Sequence, residues 1–217
     1  MSSAWQLALF AGALAAAHPT AAMQVVGEAR DPQRDALVYR ETHRCDSARA
    51  TCTVQYHDTN GELIASKWLD YSGPPAAPSL RFEDYRHGEQ VRVDSDAVSA
   101  DVVIDAGFDN YVRARWGQLA AGETVAFEFL VAGREQPLAM QARRDGDCPP
   151  SQLCLAIAPR NWLFALVGGD IKLVYERASR RLLQFRGLSN IPDERGRSQH
   201  LVIDYSYPDL ADGADAQ

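Results

Sequence analysis

One amphipathic stretch, residues 105–122, constrains the fold most, because segments with the patterns of β-strands lie on both sides of it. Phe108, Val112, Trp116 and Leu119 recur at spacings of four, four and three, which places bulky apolar side chains on one face of a helix. A single helix with such a stripe needs an apolar surface to lie on. We therefore expect the neighbouring strands to provide that surface.

Both ends of the predicted helix carry recognisable signals. Asp105 or Gly107 is expected to cap its start, where Asp109 would lie close to the positive end of the helix dipole. Gly122 is expected to end it, since glycine readily adopts the left-handed conformation found at helix C-termini. Gly117 inside the stretch costs about 1 kcal/mol relative to alanine, so packing rather than intrinsic propensity must stabilise this helix.

The rest of the chain consists mainly of short strand patterns separated by turns. The clearest hairpin signal is Asn60-Gly61, a pair that accepts the positive φ of a tight turn. We count about ten strands, mostly linked as hairpins and without βαβ crossovers, which predicts an antiparallel sheet. A second, short helix is predicted at 160–167. The expected fold is mainly β with inserted helices (α+β): a strongly curved antiparallel sheet or open half-barrel packed around one central helix, 105–122.

The two ends of the chain differ from its middle. Residues 1–22 contain no Asp, Glu, Lys or Arg, and their apolar run is about half as long as a membrane span. We interpret residues 1–22 as a signal peptide, 23–207 as a single mature domain and 208–217 as a flexible acidic tail. The expected location is periplasmic or secreted. After cleavage the protein is not expected to be an integral membrane protein.

Four cysteines fit this location, because exported proteins form disulfides. Four cysteines allow three connectivities, and the spacing suggests two local bridges, Cys45–Cys52 and Cys148–Cys154. Each local bridge would stabilise the fold by about 2.5 kcal/mol in the loop-entropy model. Zinc is the rival interpretation, but neither pair has the spacing of a zinc finger. The cysteines are Cys45, Cys52, Cys148 and Cys154.

Charge and motifs exclude several functions. A net charge of −7 leaves no overall electrostatic attraction for nucleic acid. The chain lacks the sequence signatures of serine hydrolases and zinc proteases, so no catalytic residue, metal or cofactor is predicted. An enzyme is not favoured. The alternative that stays open is a metal-dependent or carboxylate-based hydrolase that uses His43 and His57.

The favoured function is non-catalytic binding of an apolar or amphiphilic, lipid-like ligand of the cell envelope. A curved sheet over one helix commonly leaves an apolar cavity with a few polar groups. The alternative is an envelope module for protein–protein interaction or structure, with no cavity. The candidate ligand-binding residues are Phe108, Trp116, Phe127 and Phe129, with Asp105, Asp109 and Arg113 as polar contacts.

Two motifs, residues 105–110 (DAGFDN) and 187–191 (GLSNI), resemble an uncharacterised family of exported proteobacterial proteins. The resemblance covers most of the predicted mature domain. It implies export, but no activity and no functional residue. The order of strands and helix is also similar to the half-barrel of periplasmic lipoprotein carriers such as LolA, a likeness of fold that does not decide function.

Overall fold

The computed structural model describes residues 23–99, 101–146, 148–161 and 170–208. These residues form thirteen strands in one continuous open sheet. The mainly β prediction is therefore confirmed, with more strands than expected. The strands are β1 (Met23–Arg30), β2 (Leu37–Asp46), β3 (Thr51–Asp58), β4 (Leu63–Asp70), β5 (Ser79–Asp84), β6 (Glu89–Val93), β7 (Val102–Ile104), β8 (Val125–Leu130), β9 (Leu138–Arg144), β10 (Gln152–Pro159), β11 (Ile171–Glu176), β12 (Leu182–Leu188) and β13 (His200–Ser206).

The sheet is built from two meanders that join in the middle. Strands β1 to β6 follow one another in sequence order, and so do β8 to β13. The first and last strands, β1 and β13, pair antiparallel and connect the meanders; Gly27 lies opposite Tyr205 there. The hairpin predicted at Asn60-Gly61 connects β3 and β4, and Gly61 has a φ of 85°.

One pairing contradicts the antiparallel prediction. Strands β7 and β8 run parallel, with Val103 opposite Phe129, and the helical segment connects them. Parallel neighbours need such a crossover, so this segment is the βαβ unit that the sequence interpretation excluded. Every other pairing in the described sheet is antiparallel.

The predicted helix is present but broken. A 3₁₀ turn, Asp105–Gly107, precedes α1 (Phe108–Ala114), and α2 (Trp116–Ala121) follows after a break at Arg115. Gly122 ends α2 with a φ of 92°, as predicted. Gly107, one of the two predicted caps, occupies the N-cap position of α1, and Asp105 forms no side-chain cap there. Gly107 also allows close approach of the chain, since a Cβ there would lie 2.3 Å from the Ala76 carbonyl oxygen.

The helices cover only part of the sheet, so the prediction of a half-barrel around one central helix is wrong. Val112, Trp116 and Leu119 pack against buried side chains of β7 to β11. A second apolar core is formed mainly by side chains of β1 to β5 and β13, including Tyr39 and Leu80, with contributions from β7 and β8. Two cores therefore lie on one sheet, and a helix contributes to only one of them.

Both local disulfides are confirmed. Cys45–Cys52 links paired positions of β2 and β3. Cys148–Cys154 links a residue just before β10 to a residue within that strand. The predicted signal peptide, the tail from residue 209 and most of the predicted helix 160–167 lie outside the described residues. Within the part of the chain that the structure describes, no helix is long and apolar enough to cross a membrane.

Candidate functional site

The predicted phenylalanines pack against one another. The ring centroid of Phe108 lies 5.4 Å from that of Phe127 and 5.9 Å from that of Phe129. Tyr111 joins them, with its ring 5.0 Å from Phe127. These four rings fill the space between α1 and β8, and their mutual contacts are typical of a core.

The predicted polar residues separate into two groups. Asp105 accepts a hydrogen bond from Lys67 Nζ at 2.5 Å, and both side chains are 4% exposed. Asn190 Nδ2 also donates to Asp105, at 3.2 Å. Asp105 has a φ of 39°, a conformation that Asp tolerates better than most residues. This buried ion pair connects the start of the helical segment to β4.

Asp109 and Arg113 form the second group, on the flank of α1. Arg113 Nη2 lies 2.7 Å from Asp109 Oδ2, which confirms the expected i,i+4 pair. Burial raises the pKa of Asp109, although the Arg113 guanidinium and the Tyr175 hydroxyl act in the opposite direction. The Asp109 side chain nevertheless keeps 33% of its surface exposed. We call the solvent-facing space beside Asp109 and Arg113, between α1 and the inner face of the sheet, the recess.

Tyr175 of β11 completes this group, which we call the Asp109 cluster: Asp109, Arg113 and Tyr175. Burial and the charge of Asp109 raise the pKa of Tyr175 well above its usual value. Three buried atoms of the cluster, Asp109 Oδ1, Arg113 Nε and the Tyr175 hydroxyl, lack a hydrogen bond of normal geometry among the described residues, although the Tyr175 hydroxyl and Asp109 interact with each other. A buried polar atom without a regular hydrogen bond costs about 1–3 kcal/mol, so the polar groups of this cluster are less well satisfied than those of an ordinary core.

The inner face of β2 lies across from the cluster. His43 Nε2 is 2.9 Å from Glu41 Oε1, and His43 keeps 27% of its side chain exposed. Burial raises the pKa of Glu41, but its hydrogen bonds with His43 and Tyr205 outweigh that, so the pKa is lowered. Gly27 leaves room for the Glu41 side chain, because a Cβ at position 27 would lie 2.7 Å from Glu41 Cγ. Positive charge on His43 would lower the pKa of Asp109, which places the two groups near each other.

The two histidines considered for a metal site are not brought together. His57 lies opposite Arg40 of β2 and Leu63 of β4, and both of these residues are exposed on the outer face of the sheet. His43 lies on the inner face. Among the described residues, no group of three or more His, Cys, Asp or Glu side chains could hold a metal ion. The hypothesis of a metal site built from both histidines is therefore wrong.

Sequence reasoning missed the tyrosines around the recess. Burial raises the pKa of Tyr71, and the charge of Asp109 contributes to that rise. Burial and Asp109 also raise the pKa of Tyr207 to about 12. Trp116 packs edge-on against Tyr175, with ring centroids 5.8 Å apart. The available signal was alternation: Glu41 and His43 are two residues apart and share a face of β2, and Tyr205 lies in β13 two residues before Tyr207, which directly follows that strand.

A second concavity, a groove of about 480 Å³, lies on the outer surface between the β1–β2 turn and the loop before β13. Its arginines Arg34 and Arg197 are each held by two hydrogen bonds to Asp31 and Asp193. These internal pairs satisfy both charges, so the groove offers less to a ligand than the Asp109 cluster does. Comparison of the chain with models of protein families, with characterised proteins and with solved structures finds no match.

Proposed function

We propose that this protein binds a small amphiphilic molecule, without catalysis, in the recess between α1 and the inner face of the sheet. The observation that carries the proposal is the Asp109 cluster: its carboxyl is 33% exposed, and three of its buried polar atoms lack a hydrogen bond of normal geometry. A polar group placed there would both donate to Asp109 and accept from Arg113. Binding sites for small molecules combine such polar groups with apolar walls.

The apolar part of the ligand is assigned to Trp116 and Tyr175. Trp116 of α2 packs edge-on against Tyr175 of the cluster and belongs to the same apolar core. The rings of Phe108, Phe127 and Phe129 contact one another and so bury one another's apolar surface. We therefore assign them to the packing that supports the site and not to ligand contact. The proposed site therefore retains three residues of the predicted site, Asp109, Arg113 and Trp116, and adds Tyr175.

The proposal includes export to an oxidising compartment, the periplasm or the exterior. Two disulfides support it, because cytosolic thiols are normally kept reduced. The apolar, uncharged residues 1–22 support it independently through their sequence. The ligand would then be a component of the cell envelope.

Two measurements on the protein purified from an oxidising compartment test the binding proposal. Mass spectrometry of a solvent extract should find a co-purified amphiphile, and the folded protein should take up an apolar fluorescent dye. Asp109→Asn should weaken dye or ligand binding about tenfold, as expected for the loss of one good polar contact. Asp204→Asn is the matched control, because Asp204 lies exposed on β13, bonded to Gln184.

The control variant should bind like the unmodified protein. A clean extract together with no dye uptake would contradict the proposal, and so would equal losses in the Asp109 and Asp204 variants.

One observation favours a second candidate function, hydrolysis. A carboxylate that orients a histidine, as Glu41 does for His43, is the arrangement of a general base. His43 also keeps 27% of its side chain exposed. Hydrolysis of activated esters that disappears in His43→Gln, with binding retained, would support it; equal background rates in both proteins would rule it out.

A further inference from the structure

We propose that Arg180 and Arg181 hold an anionic group of the bound amphiphile, a phosphate or a carboxylate, at the entrance of the recess. The inference rests on the proposed function and adds the charge class of the ligand. Both arginines belong to the turn that connects β11 to β12, directly after the strand that supplies Tyr175.

The two guanidinium groups sit over aromatic rings that border the Asp109 cluster. Arg180 Cζ lies 5.5 Å from the centroid of the Trp116 ring, and Arg181 Cζ lies 5.2 Å from that of Tyr207. Trp116 contacts Tyr175, and the pKa of Tyr207 responds to Asp109 and Arg113. The rings thus place both cations beside the recess.

These contacts leave the guanidinium groups ready for an anion. A guanidinium that rests on an aromatic face keeps its N–H donors available to carboxylate or phosphate oxygens, and it loses less freedom on binding. Neither Arg180 nor Arg181 forms an ion pair within the part of the chain that the structure describes. Arg34 and Arg197 in the outer groove, in contrast, are already paired with aspartates.

The turn itself is fixed. The Arg180 amide donates to the Glu176 carbonyl at 2.9 Å, and Arg177 Nε donates to the Gln152 carbonyl at 2.7 Å. The nearest acidic side chain in sequence, Glu176, is occupied by the Ser179 hydroxyl. Arg180 also holds a φ of 58°, which is uncommon for a residue with a side chain and is maintained only where the surroundings enforce it.

The net charge of the protein makes this local arrangement informative. With a net charge of −7 the molecule as a whole repels anions. A site for an anionic head group therefore needs local cations without carboxylate partners, and the Arg180–Arg181 pair supplies two. Arg113, whose charge is balanced by Asp109, would add hydrogen-bond donors but little net charge.

A head-group series with one constant acyl chain tests this inference on the full, disulfide-bonded protein. Lysophosphatidic acid, lysophosphatidylcholine and an alkyl trimethylammonium of equal chain length are titrated at low ionic strength, with inorganic phosphate as a fourth ligand. We expect the anionic lipid to bind about tenfold more tightly than the zwitterionic one, a preference that shrinks in high salt. R180Q/R181Q should abolish that preference, and R195Q, an exposed arginine elsewhere, should preserve it.

The outcomes separate the two proposals. Equal binding of all three amphiphiles, or a preference that survives R180Q/R181Q, would overturn the anionic class and leave amphiphile binding intact. Binding of inorganic phosphate as tight as that of the anionic lipid would overturn the inference in favour of a simple anion site. Binding of none of the four would overturn this inference and the proposed function together.

Discussion

The sheet has two halves, one formed by β7–β11 and the other by β1–β5 with β13. Both halves have side chains on the inner face, but what covers these side chains differs. The first half is covered by the apolar stripe of α1 and α2, with Val112 and Leu119 fully buried. The second half has no helix above it and fills its interior with its own side chains, including the buried charges Glu41 and Lys67.

This difference explains where the candidate site lies. A helix with an apolar stripe seals one half, while paired charges and tyrosines occupy the other. Asp109 and Arg113 lie on the flank of α1 at the edge of the apolar stripe, next to Trp116. The polar atoms of the Asp109 cluster that lack a regular hydrogen bond lie beside the helix-covered core, to which Tyr175 belongs.

The largest effect is expected from breaking the buried ion pair of the second half. Lys67→Met leaves Asp105 buried with Asn190 as its remaining side-chain partner. Removing one member of such a pair costs about 3–5 kcal/mol, because the other charge stays buried without compensation. Urea unfolding measures this loss. Lys172→Met is the control: the exposed Lys172–Asp145 pair should contribute about 0–1 kcal/mol. Equal losses in both variants would contradict the account.

In the helix-covered half, the corresponding variant is Leu119→Ala. Leu119 is fully buried between α2 and the sheet, so the truncation should cost about 2–5 kcal/mol. Thermal or urea unfolding gives the value. Leu63→Ala, at a position 36% exposed on β4, should cost much less. A loss at Leu119 no larger than at Leu63 would mean that the helices do not seal this half.

A smaller effect is expected where the two meanders join. Gly27→Ala places a Cβ 2.7 Å from Glu41 Cγ and 3.0 Å from Ile203 and Tyr205 side-chain atoms, and such overpacking costs about 1–3 kcal/mol. Gly117→Ala on α2 is the opposite case, because its Cβ meets nothing within 4 Å. That change should stabilise the protein by about 0.5–1 kcal/mol. Denaturant midpoints of the two variants should therefore move in opposite directions.

The smallest effects concern pH, and they have opposite signs in the two halves. Glu41 has a lowered pKa, so its contribution to stability is present at neutral pH and is lost as pH falls through its folded-state pKa. Asp109 has a raised pKa, so its contribution is present in acid and is lost as pH rises through its folded-state pKa.

Urea unfolding at a series of pH values checks these signs. Relative to the unmodified protein, Asp109→Asn should gain stability as pH rises from about 3 to about 7, whereas Glu41→Gln should lose stability over the same range. Parallel pH profiles for the two variants would refute the opposite environments assigned to the carboxyls.

Local features of the fold were predictable from sequence. The Asn60-Gly61 hairpin, the helix end at Gly122 and the two disulfides depend on residues close in the chain, and the structure confirms them. The parallel pairing of β7 with β8 was not predictable, because Val102–Ile104 is too short to show which neighbour it pairs with. Register between distant strands depends on tertiary packing rather than on local pattern.

The same limit applies to the site. Asp109 and Arg113 were identifiable because they lie four residues apart on one helix. Asp105 looked like a helix cap, and only the structure brings Lys67, a residue 38 positions earlier, against it. Tyr175 and the turn at Arg180 come from strands far along the chain, and no spacing rule connects them to Asp109.

The most direct test of the account is to map the bound ligand by NMR. Adding a saturating amphiphile to the isotope-labelled protein should shift the signals of Asp109, Arg113, Tyr175 and His43 most strongly, with little change at the outward-facing Trp68. Shifts concentrated at Trp68 and the neighbouring exposed Tyr85 would contradict the account, because they would place the ligand on the outer face of the sheet.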